Sequence, residues 1–267
     1  MSSTFLPAAS GVFWGEAALK PHRSRYWLNA KPADPEEFAQ QVKAICELYL
    51  QATLLLAQGK HLVSSDEMTG IQALERLHPS LPMQPGRAER IEFEYIRHGT
   101  QSLIASFEVA SGQIVEASIG PHRKEEDFAA HIARVIAADP HGEWIFLLDQ
   151  LNTHKSATLV DWVAHALEFE QDLGVKGESG ILHSMPSRAA FLSDPSHRIR
   201  FVYTPKHASW LNQIEIWFSI LMRRLLKRGS FPSVQDLKQR ILAFVAYFNQ
   251  TLAHPFKWTY KGRPLTV

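Results

Sequence analysis

Five consecutive large apolar residues, Trp144-Ile145-Phe146-Leu147-Leu148, stop at an acid, Asp149. A strand with one wet face alternates apolar and polar side chains. A run without alternation is buried on both faces, as a central parallel strand is. Parallel neighbours need long crossovers, usually helical. The flanking sequence supplies them. Phe128, Ile132, Val135 and Ile136 recur at helical spacing before the run. After it, Ser156 can cap a helix predicted to reach about Gln171, and Ile199–Tyr203 reads as another strand. Sites in such sheets form beyond the carboxyl ends of the strands, where Asp149 lies.

The remaining segments fill in the architecture. Residues 1–33 mix Gly, Pro, Ser and aromatics without a period and read as a linker. Asp34, Pro35, Glu36 and Glu37 then punctuate a helix start, followed by the stripe Phe38, Val42, Ile45, Tyr49, Ala52. A short strand, residues 61–65, ends at Asp66; residues 79–89 read as a loop. Strand-like stretches at 91–96, 102–109 and 114–119 are separated by turn signals at His98-Gly99-Thr100 and Ser111-Gly112, which predicts an antiparallel meander. Residues 172–198 are rich in Gly, Ser and Pro and read as an insertion with little regular structure. Ser209 can cap a helix carrying Glu215, and a last helix is expected over residues 234–251. Strands followed by helix-strand-helix-strand-helix make an α/β chain with a mixed sheet flanked by helices.

Composition removes several classes. With 45% apolar residues, wholesale disorder is excluded. A single Cys, Cys46, allows neither an internal disulfide nor a cysteine zinc site and fits a reducing cytoplasm. No apolar run is long enough to span a membrane, and no signal peptide is evident. The net charge of +1 does not announce a nucleic-acid binder. Two local basic clusters, Lys20 to Trp27 and Arg223 to Arg228, are better read as solvated faces than as DNA tracks.

The acids are the chemical signal. Glu215 has Leu211, Phe218 and Met222 at helical spacings of four, three and seven, so its charge is expected to be costly unless something binds it. Asp149 and Asp66 end two apolar runs. Two Asp and a Glu placed in this way suit Mg²⁺, a hard cation content with few carboxylates, and a two-metal phosphoryl transfer. The plain alternatives are a salt bridge to an Arg for Glu215, a turn or capping role for Asp149, and simple exposure for Asp66. His154 and His207 are candidates to contact phosphate or support a carboxylate. Asn212, one turn before Glu215, is a candidate to orient a ligand or DNA phosphate, with capping as the alternative. No H-E-x-x-H spacing and no G-x-x-x-x-G-K-[ST] loop occurs, which disfavours a zinc hydrolase and ATP hydrolysis.

The stretches Ser65 to Arg76, Leu148 to Lys155 and Thr204 to Phe218, with Arg97-His98-Gly99-Thr100 and Phe256 to Gly262, together resemble transposases of bacterial insertion sequences in the mariner-like superfamily, which carry a DDE triad. The resemblance covers roughly residues 20–264. It implies a ribonuclease H-like fold, with residues 1–57 as linker and helix left from a DNA-binding region and residues 58–267 as catalytic domain with the insertion near 172–198. It implies a triad of Asp66, Asp149 and Glu215 binding two Mg²⁺ or Mn²⁺ ions. Asn152, His154, His207, Trp210 and Asn212 become DNA-binding or supporting candidates. The implied partners are double-stranded DNA, as transposon inverted repeats and target, and a second copy in a homodimer; the implied location is the bacterial cytoplasm, at the nucleoid. Two departures stand out. The helix-turn-helix modules of full-length members are missing, and the interval from Asp149 to Glu215 is long. A truncated, inactive transposase and another metal-dependent nuclease of the same fold are the competing readings.

Overall fold

The computed structural model describes residues 34–260. The linker reading of residues 1–33 lies outside them. The central element is strand β4, Glu143–Leu148. It is parallel to β1, Lys60–Arg76, on one side and to β5, Ile199–Tyr203, on the other. Antiparallel strands β2, Tyr95–Glu108, and β3, Gln113–Gly120, extend the sheet beyond β1, giving the order β3-β2-β1-β4-β5. The unalternating run thus sits between two strands, and each of its five residues is at most 5% exposed.

Alternation persists inside that run, sorted between two apolar layers. Ile145 and Leu147 join Leu62 and Leu103 in a core covered by helices α1, Pro35–Ala57, α5, Ile214–Leu221, and α6, Val234–Thr251. Trp144, Phe146 and Leu148 join Val63 and Ile104 beneath α2, Glu125–Ile136, α3, Ala157–Ala166, and α4, Met185–Leu192. Burying one such large side chain contributes about 2–3 kcal/mol. The product is helix, sheet, helix in three layers.

Local signals explain most element starts. Asp34 Oδ1 accepts from the Glu36 and Glu37 amides at 2.9 and 3.0 Å, and Ser156 Oγ accepts from Leu159 N at 3.2 Å. Helix α6 spans the expected residues, capped by Ser233. Several expectations are corrected. The strand expected to stop at Asp66 runs to Arg76, because β2 goes on pairing with it after β4 has left the ladder. The strand expected at residue 91 begins at Tyr95, and His98-Gly99-Thr100 is no turn but part of β2. Gly99, at φ +143°, sits at a register shift, where a Cβ would come within 2.9 Å of Val234 on α6. Helix α3 ends at Ala166 rather than near Gln171: Glu168 turns left-handed, at φ 54°, and Phe169 N closes onto Ala164 O. Within 172–198, the Ser and Pro residues build α4. Ser184 and Ser187 cap each other's amides at 3.2 and 2.9 Å, and Pro186 occupies the first turn.

The helix carrying Glu215 is capped from another element. Ser209 lies in a separate short turn, Ser209–Leu211, and caps nothing with its side chain. The hydroxyl of Ser64, on β1, instead accepts from Ile214 N at 2.9 Å and donates to Asn212 Oδ1. Tyr49 of α1 donates to Leu211 O at 2.6 Å. The start of α5 is thereby fixed to the sheet. Replacing Ser64 by Ala removes a cap and leaves a buried amide oxygen unpaired, so the expected loss of stability is roughly 2 kcal/mol. Urea unfolding checks it; a loss under about 0.5 kcal/mol would mean the junction does not depend on this hydroxyl.

Candidate active site

Parallel pairing sets the first two acids side by side. The β1–β4 ladder ends at Ser64 opposite Leu147, and continuing that register two places sets Asp66 against Asp149. Their charges act on each other. Burial, then the Asp149 charge, pushes the Asp66 carboxyl up to about 7. Asp66 is 7% exposed; its Oδ2 accepts from Asn212 Nδ2 at 3.1 Å and its Oδ1 from Glu67 N at 2.8 Å. Asn212 also donates to Ser65 O at 3.0 Å. It is 1% exposed, and its amide is committed to Ser64, Ser65 and Asp66.

Strand alternation sends Glu67 to the opposite face from Asp66, under α2 and α3. There His154 bridges two acids: Nδ1 lies 2.9 Å from Asp149 Oδ1 and Nε2 lies 3.2 Å from Glu67 Oε1. Both His154 and the Glu67 side chain are essentially inaccessible, at 0% and 1%. Burial alone would depress the imidazole, yet the hydrogen bonds and charges of Asp149 and Glu67 raise it to about 9. It is therefore a cation at neutral pH. Asp149 responds in the other direction. Burial raises its pKa, and the His154 bond and charge outweigh that and hold it below the usual range. The plain alternative for Asp149 is also real, since Oδ1 accepts from Leu151 N at 2.9 Å in an Asx turn. Its Oδ2 accepts no hydrogen bond among the described residues.

Glu215 differs from expectation. It is exposed, because Ile214, Trp217, Phe218 and Leu221 form the inward face of α5, and Met222, expected to shield it, is itself 42% exposed. Among the described residues it has no Arg, Lys or His ion pair. Its carboxyl is still raised, by partial burial and then by the Asp149 charge. Asp149 is thus the charge to which both other acids respond. Among the described residues no three His, Cys, Asp or Glu side chains are gathered tightly enough to hold an ion as they stand. The donor set nonetheless suits a hard divalent cation: all oxygen, with mutual repulsion that a cation would relieve.

A cleft of about 410 Å³ opens beside Asp149, lined by Gln150, Leu151, Thr204, Pro205, Lys206, His207 and Ser209. His207 is on this wall, exposed and left-handed at φ 63°. Trp210 is 51% exposed, with its ring 5.0 Å from that of Tyr260. Asn152 is exposed in the short turn Asn152–Lys155. The sequence reading missed two residues, Glu67 and Ser64. The period-two alternation of β1 was a usable signal for Glu67, since it places that acid on the face opposite Asp66. Ser64 had no local signal, as its partners lie some 150 residues away.

A family model described as DDE superfamily endonuclease matches residues 61–238, a span that includes Asp66, Asp149 and Glu215. No curated protein sequence matches the chain at a significant level. Among solved structures, the Mos1 transposase paired-end complex with left transposon end is similar over 89% of this chain and 62% of that one, with 13% identity and a TM-score of 0.53. The pre-cleavage Mos1 transpososome gives 89% and 63%, 13% and 0.53; the Mos1 strand transfer complex gives 89% and 62%, 13% and 0.52. At such identity the likeness is one of fold, and the mixed, helix-flanked, ribonuclease H-like sheet expected from the sequence is the one observed. The chain spans about 62% of the length of the first Mos1 chain it matches.

The charges predict a pH dependence. Asp66 has a folded pKa raised from 3.8 to about 7, so its contribution to stability is full below pH 3.8 and lost as pH rises through about 7. In metal-free buffer, Asp66→Asn is expected to melt several degrees above the wild type at pH 8, with the gap closing near pH 4. Thermal unfolding at the two pH values checks it; equal melting temperatures at pH 8 would contradict the repulsion described.

Proposed function

The chain belongs to the DDE superfamily of endonucleases, and we propose that it is the catalytic domain of a DNA transposase. In this reading residues 58–267 are the catalytic domain, and α1 packs onto it from the preceding segment. The substrate is double-stranded DNA: inverted repeats at the element's ends, then a target. The observation that carries the reading is the coupling of Asp66 and Glu215 through the charge of Asp149. An anionic Asp149 whose charge raises the pKa of both Asp66 and Glu215 makes a cluster that would repel a polyanion unless a cation intervened.

Asp66, Asp149 and Glu215 would hold two Mg²⁺ or Mn²⁺ ions, which supply electrostatic stabilisation to the oxygens of a phosphodiester undergoing displacement. The protein's own part is to keep these acids charged and aimed. His154, held by Glu67, keeps Asp149 anionic. Asn212 fixes the orientation of Asp66. The capped start of α5 sets the position of Glu215. Attack of water breaks a phosphodiester at the element's end and leaves a 3′-hydroxyl; attack of that hydroxyl on target DNA forms one P–O bond as another breaks. His207, Trp210 and Asn152, all exposed, are assigned to DNA contact. Action as a homodimer on paired ends, in the cytoplasm, completes the proposal; among the described residues no helix is long and apolar enough to cross a membrane.

The test is Mg²⁺-dependent cleavage and strand transfer on labelled DNA carrying the flanking inverted repeats. Asp149→Asn and Glu215→Gln are each expected to abolish both steps while the unfolding transition stays cooperative. Cleavage that survives Asp149→Asn would overturn the assignment.

A further inference from the structure

The segment 172–198 has no part in the reaction just described, yet it touches the site's most constrained turn. Arg188, on α4, donates from Nε to Lys155 O at 2.7 Å and from Nη1 to Leu182 O at 2.9 Å. One planar guanidinium thus ties the turn Asn152–Lys155 to the body of the inserted segment. That segment is anchored in its turn by Leu182, Phe191 and Leu192, all in the core beneath the sheet. The turn carries His154 and Lys155. Lys155 is held from its other end as well. Its Nζ hydrogen-bonds Gln150 Oε1 and lies 4.5 Å over the Tyr203 ring, while Gln150 Nε2 donates to Thr204 O at 2.8 Å and Tyr203 donates to His154 O at 2.9 Å. Gln150 and Lys206 both line the Asp149 cleft. The Lys155 ammonium also feels the charges of both Asp149 and Lys206. Lys155 is thus fixed at backbone and head, its head on Gln150, a residue of the cleft that Lys206 also lines, and two ammonium groups at one cleft attract an anion.

We propose that the inserted segment is an intramolecular brace: through Arg188 it fixes the turn that presents Lys155, with Lys206, to a phosphate of DNA lying in the Asp149 cleft. Arg188 is a positioning residue, acting through Lys155. The inference rests on DNA being the substrate, so its test must not require cleavage.

The probe is a fluorescent 30-base-pair duplex in metal-free buffer, with affinity followed by anisotropy over a range of salt. Lys155→Met is expected to weaken binding several-fold and to lower the slope of log affinity against log salt by about one. Arg188→Lys keeps the charge and loses the fork, and is expected to weaken binding nearly as much. The double variant should match Lys155→Met alone, since both changes disable one contact. Unchanged binding and slope in Lys155→Met, wild-type behaviour of Arg188→Lys, or additive losses would each overturn the brace. None of these outcomes touches the cleavage assay, whose failure would overturn the transposase reading instead.

Discussion

Everything at this site depends on a buried polar junction between β1 and the start of α5. Ser64, Asn212 and the Ile214 amide satisfy one another inside an otherwise apolar layer, and Tyr49 closes the junction from α1. Such groups are costly unless every partner is present, so the junction tolerates little displacement. Asn212 is the member that also reaches an acid. The same side chain that locks the helix to the sheet aims Asp66, and the helix so locked carries Glu215.

The second organising fact is that adjacent acids on one strand do different jobs. Asp66 faces the α5 layer and Glu67 faces the α2–α3 layer. Glu67 sits opposite a buried imidazolium, which in turn holds Asp149. The result is an asymmetry across the sheet: on one side Glu67 and Asp149 share a single imidazolium, and on the other Asp66 has no ion pair among the described residues. Aspartates of identical chemistry thereby come to have pKa values on either side of the ordinary range.

What was legible in the sequence was local. The unbroken apolar run gave β4 its central place because burial on both faces leaves a mark on every residue. Asp34, Ser156 and the residues of α6 could be read because a cap and its helix are neighbours in sequence. The end of β1 could not be read, because what prolongs it is β2. The cap of α5 escaped for the same reason: its hydroxyl comes from a strand, while a plausible local Ser209 stood nearby. Glu215 was expected to be buried by counting apolar neighbours at helical spacing, but those at Phe218 and Met222 turn to different sides. The three acids themselves were identified from type, spacing and resemblance; their coupling through Asp149 needed the parallel register.

The β1–β4 register has a kinetic side. The meander β1-β2-β3 joins near neighbours, whereas pairing Ser64 with Leu147 must close a much longer loop, and docking α5 on Ser64 a longer one still. On a growing chain the meander can form while Asp149 and Glu215 are still unmade. The acids meet only once β4 has paired with β1 and α5 has docked on Ser64, so a chain in which the meander alone has formed holds Asp66 without its two companions.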